Sequence, residues 1–322
     1  MNLTSKTLAH AQLAVRAAAR QFLFDPNIKL IDFGFPLRDG ARDESDLAVR
    51  IHVREKLSGS ALENATEQGR TQMIPATIGG FRTDVPEGNY HLHWRSAWRR
   101  TQTNVRAQRV EVMRGGISIS DEHHNTYATL GGAVVDRASG EAMLLSNWHV
   151  LVGSWWAKRG QRIYQAGRGD GGSYVDTVAT LDRDAMASNL DAAVAKLDGS
   201  RAIMNEQYGL GKVTGVVAPQ LGMSVVKSGR RTGITSGLVT AVEGVAKMRY
   251  DNRDRIIRNV VTIEPANGVT EVSAGGDSGS WWLEVNTRAA VGLHFAGSDA
   301  PERALANDMS AVLNVLNLEL MI

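Results

Sequence analysis

Apolar positions recur at two different periods along this chain, and the change of period divides it. Between Thr4 and Phe22, Leu8, Ala11, Val15, Ala18 and Phe22 return at threes and fours. That is the spacing of one helix face, in an alanine-rich stretch that favours helix. Asp25-Pro26-Asn27 stops it. Lys29 to Phe35 and Asp46 to Val53 then change to a β pattern, with Leu47, Val49, Ile51 and Val53 on one face and the turn former Asp39-Gly40 between them. These predict paired strands. Residues 58–72 read as polar helix or loop, and the stretch Met73 to Val85 ends at the turn Pro86-Glu87-Gly88. Residues 1–88 are therefore expected to form a small α+β N-terminal domain.

After Gly115 the pattern becomes short apolar runs punctuated by glycine: Ala128–Val135, Ala142–Leu145, Ala192–Leu197, Met223–Lys227, Gly237–Val242, Asn259–Ile263, Ser280–Val285 and Ala290–Phe295. Short strands at short spacing predict a barrel or sandwich pair over residues 115–322, with a helix only at Ser310–Leu316. Between the two parts, residues 89–114 form a basic and aromatic connector carrying Trp94, Trp98, Arg95, Arg99, Arg100, Arg106, Arg109 and Arg114. Its tryptophans are expected to dock on a domain or a neighbouring subunit, with the arginines solvated or paired. A nucleic-acid patch is the weaker reading, because no nucleic-acid-binding motif accompanies it.

Composition narrows this further. Lys plus Arg number 36 against 34 Asp plus Glu, so no whole-molecule field gathers nucleic acid or an anionic membrane. The chain has no cysteine, which excludes disulfides, thiolate metal sites and a cysteine nucleophile and leans towards a reducing compartment. The first 25 residues show no secretory signal pattern, and no apolar run approaches the roughly 20 residues of a membrane helix. A soluble, cytoplasmic protein with no membrane partner is expected.

Three positions carry candidate chemistry. A serine hydroxyl becomes a nucleophile only when a neutral imidazole can take its proton and an anion orients that imidazole. His149 lies in Leu144-Leu145-Ser146-Asn147-Trp148-His149-Val150, Asp191 in Asn189-Leu190-Asp191-Ala192-Ala193-Val194, and Ser278 in Gly275-Gly276-Asp277-Ser278-Gly279-Ser280. The order His, Asp, Ser is one of three familiar triad orders, and the G-x-S-x-G elbow of another is excluded by Ser280. The backbone amides of Gly276 and Ser278 are the candidate oxyanion hole, glycine allowing the turn that aims both at one point. Asp277 is expected to anchor that turn rather than move protons. The histidine pair His123 and His124 reads as a loop tip; His91 and His93 share a face without a third ligand nearby in sequence, and no metal is expected.

These motifs, together with Gly229-Arg230-Arg231-Thr232-Gly233 and Ala290-Val291-Gly292-Leu293-His294-Phe295, resemble the trypsin-like (chymotrypsin-fold) serine peptidases. The pairing with a leading α+β unit, and phrases such as Ile78-Gly79-Gly80-Phe81-Arg82-Thr83-Asp84-Val85, look like the plant narrow-leaf type trypsin-like proteases and their bacterial relatives. The resemblance implies a mainly β, chymotrypsin-like double β-barrel after a small α+β domain, and a serine endopeptidase that hydrolyses peptide bonds of protein or peptide substrates without a cofactor. It also implies a homo-oligomer built partly through the N-terminal unit. It places Val272 at the floor of the primary pocket, with Ala296 and Gly297 on its wall, and so a small or apolar substrate side chain. Trp148 before the histidine and Ser280 after the serine depart from the family pattern and are expected to narrow the cleft. Activation by a freed N-terminus is not expected, so Asp277 needs another partner. The competing expectation is a catalytically silent scaffold that keeps the fold for peptide binding and assembly.

Overall fold

The computed structural model describes residues 3–57, 59–93, 95–96, 104–266 and 270–321, with the backbone alone at 95 and 96. Trp94, Trp98, Arg99, Arg100 and the side chain of Arg95 lie outside the described residues.

Two antiparallel sheets account for most of the chain. The first runs in the order Leu318–Leu320, Gly132–Asp136, Ala142–Ser146, Ala193–Leu197, Thr177–Asp184, Arg162–Tyr164, Ser118–Asp121, Thr126–Thr129 and Arg95–Ser96. In the second, Ser224–Gly229, Trp281–Glu284, Ala290–Asp299, Glu302–Asp308, Arg253–Pro265 and Gly233–Tyr250 follow in turn, and the last pairs back onto the first to close a barrel. Leu145, Val194, Trp281, Leu283 and Leu293 meet Met309, Val312 and Leu313 of the C-terminal helix in one core between the sheets. That helix, Met309–Val315, is capped by Asp308, whose carboxylate accepts from the Ala311 amide. It hands the chain back to the first sheet through Leu318–Leu320.

The long apolar runs became longer strands than expected. Gly237–Val242 lies inside an 18-residue strand, Gly233–Tyr250, paired with Arg253–Pro265. Three register shifts and left-handed backbone at Glu243 and Asn259 bend this hairpin out of the barrel. Bulges of this kind increase twist and re-aim the strand. The run Ala128–Val135 is instead broken, into Thr126–Thr129 and Gly132–Asp136.

The overshooting hairpin explains what becomes of the N-terminal residues. Ile28–Gly34 pairs with Gly233–Tyr250, Leu30 opposite Ala246, and on its other side with Ala48–Val53. The expected paired strands are present, and through Ile28–Gly34 they extend the second barrel's sheet. An unpaired strand edge is a template for pairing, and Leu30 and Phe35 are buried with barrel residues. The helix Ser5–Phe22, capped by Thr4, covers this extension by packing Ala11, Val15, Ala18 and Phe22 on Ile31, Phe33, Val49 and Ile51.

The segment expected to be a connector is laced into both barrels. His91–Leu92 pairs with Ala290–Asp299, Arg95–Ser96 with Thr126–Thr129, and Val112–Gly115 runs parallel to Ala202–Gln207. Its described arginines are paired: Arg106 donates to the Gly116 carbonyl, Ser228 Oγ and the Tyr208 carbonyl, Arg109 meets Asp176 and Glu111, and Arg114 meets Glu206.

Candidate active site

His149 and Asp191 are brought together by strand register. Ser146 ends a strand and stands opposite Ala193 on its neighbour. Asn147 begins the single turn Trp148–Leu151, and Asp191 lies two residues before Ala193. The result is a 2.6 Å contact between His149 Nδ1 and Asp191 Oδ2, with the His149 amide donating to Oδ1 at 3.2 Å. Both residues are buried, Asp191 completely. Asn147 Nδ2 donates to the Asp191 carbonyl at 2.7 Å, and the Asp191 amide donates to Asn307 Oδ1 at 3.0 Å. Tyr250, at the tip of the long hairpin, donates its hydroxyl to Asp191 Oδ2 at 2.8 Å. Burial, followed by the charge of Asp191, raises the Tyr250 hydroxyl well above its ordinary pKa, so it remains a donor.

The Ser278 loop is built around Asp277. Gly276 has φ +110°, and a Cβ there would lie 2.6 Å from Tyr127 Cε2. Only glycine fits. Gly279, at φ +96°, packs against the Thr129 carbonyl. Asp277 is fully buried and accepts from Lys227 Nζ at 2.9 Å, Thr232 Oγ1 at 2.7 Å, and the amides of Arg231, Thr232 and Ala274. Burial alone would raise its pKa; the charge of Lys227 and the donated hydrogen bonds of Thr232 and Lys227 outweigh it and hold the carboxyl well below the usual range. Asp277 is thus a structural anchor, and the partner it needs is Lys227.

The amides of Gly276 and Ser278 converge on one oxygen, the carbonyl of His93, at 2.5 and 3.5 Å. Ser278 Oγ donates to the Phe295 carbonyl at 3.2 Å, while His149 Nε2 is buried without a hydrogen-bond partner. The structure therefore pairs histidine with aspartate, and leaves the serine rotated onto the neighbouring strand. Trp148 is buried at 4.5 Å from the Trp155 ring and edge-on to Tyr250, and it borders the hollow beside His149. Ser280 Oγ donates to the Asp277 carbonyl at 2.6 Å, bracing the loop.

Of the expected pocket, Ala296 and Gly297 pair with Leu92 and His91. Val272 is fully buried in the cluster of Val225, Val239, Ile263 and Trp282, with its amide donating to Glu302. Beside Gly297 sits the His93 ring; a Cβ on Gly297 would stand 2.3 Å from its Cε1. His93 Nδ1 and His294 Nε2 are 3.1 Å apart. Burial, then neighbouring His91, lowers His93 to a pKa of about 3, and burial, then His93, takes His294 well below its ordinary value. Both rings are neutral. His91 and His93 do find a third group: donor atoms of His91, His93 and Asp299 lie within 4.8 Å of one another. His123 and His124 sit on a loop as expected, His124 Nδ1 lying 2.9 Å from Asp121 Oδ2.

Sequence reading missed Tyr250, Asn307 and Lys227, and weighed His93 only as half of a histidine pair. Lys227 alone left a signal, a lysine in the otherwise apolar run Met223–Lys227. Tyr250, Asn307 and His93 reach the site through long-range pairing that no local pattern records.

No family model matches the chain, and no curated protein matches it in sequence. Solved structures do resemble it. The Nocardiopsis protease NAPase is 18% identical, covers 66% of this chain and 100% of its own, and superposes with a TM-score of 0.50. Cellulomonas bogoriensis chymotrypsin is 18% identical over 65% of this chain and 98% of its own, with a TM-score of 0.48. Thermobifida fusca protease A is 17% identical over the same shares, at 0.47. The fold is the chymotrypsin-like double β-barrel, with an additional N-terminal helix and strands.

Proposed function

We propose that this protein is a serine endopeptidase that hydrolyses peptide bonds through an acyl-enzyme on Ser278. The observation that carries the reading is the buried pair His149 and Asp191, completed by Tyr250, at the mouth of a loop whose two amides already bind a peptide carbonyl. His149 takes the Ser278 proton as Oγ attacks, Asp191 holds the imidazole and offsets the positive charge it gains, and the Gly276 and Ser278 amides bind the oxyanion. The proton then passes from His149 to the departing nitrogen, and a water repeats the cycle to free the acid. Solved proteases share the fold, which supports the reading.

Within it, the side chain beside the cleaved bond is small or apolar, in a pocket of Ala296, Gly297 and Val272. No cofactor is required. The setting is cytoplasmic, on the ground that the chain has no cysteine, and the enzyme a homo-oligomer, on the ground of the sequence resemblance to the narrow-leaf type proteases. Hydrolysis of an unfolded protein such as casein tests the activity: Ser278→Ala and His149→Ala lose at least about a thousandfold in kcat. Equal activity in all three chains overturns it. The second reading, a silent peptide-binding scaffold, draws on the Ser278 rotamer and the filled oxyanion hole, and predicts no hydrolysis by wild type at all.

A further inference from the structure

Residues 91–93 lie in the cleft in the manner of a substrate. The His91–Leu92 strand runs antiparallel to Ala290–Asp299, His91 opposite Gly297 and Leu92 opposite Ala296. The His93 amide then donates to the Phe295 carbonyl at 3.2 Å, and the His93 carbonyl accepts from both oxyanion-hole amides. Its ring fills the pocket beside Gly297 and touches His294, while Leu92 lines the hollow of about 360 Å³ that also borders His149, Trp148 and Tyr250. Register, carbonyl and side chain agree: an extended peptide is added to the strand edge with its backbone read by hydrogen bonds and its side chains by pockets. Tyr90, immediately before, is fixed by His52 Nδ1 at 2.7 Å and by Arg303 at 3.4 Å.

We propose that the chain is its own substrate, and that Ser278 cleaves the peptide bond that follows His93. This rests on Ser278 being the nucleophile. A side-chain rotation first moves the Ser278 hydroxyl from the Phe295 carbonyl to His149 Nε2, which lacks a partner. Ser278 Oγ adds to the His93 carbonyl carbon as its proton goes to His149 Nε2, and the negative oxygen stays on the two amides. The bond from that carbon to the nitrogen of the next residue, Trp94 in the sequence, breaks, and the nitrogen takes the proton from His149. A water then attacks the ester, giving its proton to His149. Ser278 Oγ departs and recovers that proton, leaving a carboxyl at His93 and an amine at the new N-terminus. No oxidant or other co-reactant is consumed.

Tethering removes the cost of bringing two molecules together, so the reaction is first order in protein. Both fragments remain associated, because Ile28–Gly34 and Ala48–Val53 stay paired within the second barrel's sheet.

The test follows full-length wild type and Ser278→Ala by denatured and native mass spectrometry, with N-terminal sequencing and a fluorophosphonate label. The expected result is that denatured wild type splits into a fragment ending at His93 and one beginning at Trp94. Its native mass rises only by the one water consumed, the fragments staying together, Ser278→Ala stays whole, and the rate is the same on tenfold dilution. Cleavage elsewhere, a rate that falls with dilution, or a wild type that stays whole overturns the proposal. If the whole chain, or a Leu92→Asp variant that empties the cleft, takes the label on Ser278, the peptidase reading survives that failure; if neither takes any, both fall.

Discussion

Tyr250 and His149 share one oxygen atom: both contact Asp191 Oδ2, at 2.8 and 2.6 Å. The phenol arrives from the tip of a hairpin belonging to the second barrel, whereas the histidine and aspartate belong to the first. The relative position of the two barrels is thereby coupled to the orientation of the imidazole. A hydrogen bond to a charged group contributes about 1.5–3 kcal/mol. Tyr250→Phe is expected to lower kcat about ten- to a hundredfold with KM little changed. Steady-state kinetics on a peptide substrate checks this, and an unchanged kcat contradicts it.

Lys227 and Asp277 are both fully buried, so removing the lysine strands a carboxylate in the core. Lys227→Met is expected to cost about 3–5 kcal/mol of stability in urea unfolding, and to disorder the oxyanion loop. Adding Asp277→Asn to the same chain recovers part of that loss, because the two changes are coupled. Additive losses would show that the two groups do not act as a pair.

Gly276→Ala places a methyl group against the Tyr127 ring at a backbone angle that L-residues rarely adopt. Loss of one oxyanion donor lowers kcat about 10²–10³-fold. A variant with wild-type kcat would place the oxyanion site elsewhere.

Three buried histidines set the response to acid. Burial first, partly opposed by Asp32, lowers His52 to a pKa of about 4; burial likewise lowers His93 to about 3 and takes His294 well below its ordinary value. Each takes a proton on unfolding near its unfolded pKa of about 6.5. Their stability contribution is present above that value and is lost as pH falls towards the folded values. His124, raised chiefly by the hydrogen bond it donates to Asp121, acts in the opposite sense, but among the histidines one group opposes three. Urea midpoints are therefore expected to fall between about pH 6.5 and pH 4, and a flat profile there contradicts the buried, neutral assignment.

Leu92 packs on the cluster that contains Tyr250 and borders the same hollow as His149. Leu92→Asp puts a charge in that hollow and is expected to expel the segment, speeding reaction of Ser278 with an added fluorophosphonate about tenfold or more. An unchanged rate would mean that residues 91–93 do not compete for the cleft.

Much of this was legible in the sequence because the relevant signals are local. The helix face from Leu8 to Phe22, the glycines around Ser278 and the order of His149, Asp191 and Ser278 each sit within a few residues of what they determine. The barrel strands announced themselves as apolar runs, but their ends did not: the run near Gly237 continues to Tyr250 only because another strand pairs with it. The apolar faces within residues 1–88 were equally legible, and they pack on one another in a single cluster; what no local pattern records is that the strand beside Ile28–Gly34 comes from some two hundred positions away in the sequence. The roles of Tyr250 and His93 were invisible on that account, since a tyrosine at a strand end and a histidine in a basic segment acquire meaning only through a distant partner.

The most direct measurement of the central claim is the site of covalent labelling. Folded wild type and Leu92→Asp, incubated with a fluorophosphonate, unfolded and mapped by peptide mass, are expected to carry the probe on Ser278 alone. Ser278→Ala and His149→Ala remain unlabelled. A bare Ser278 in both folded proteins, with the cleft emptied in the second, would contradict the assignment of Ser278 as a nucleophile.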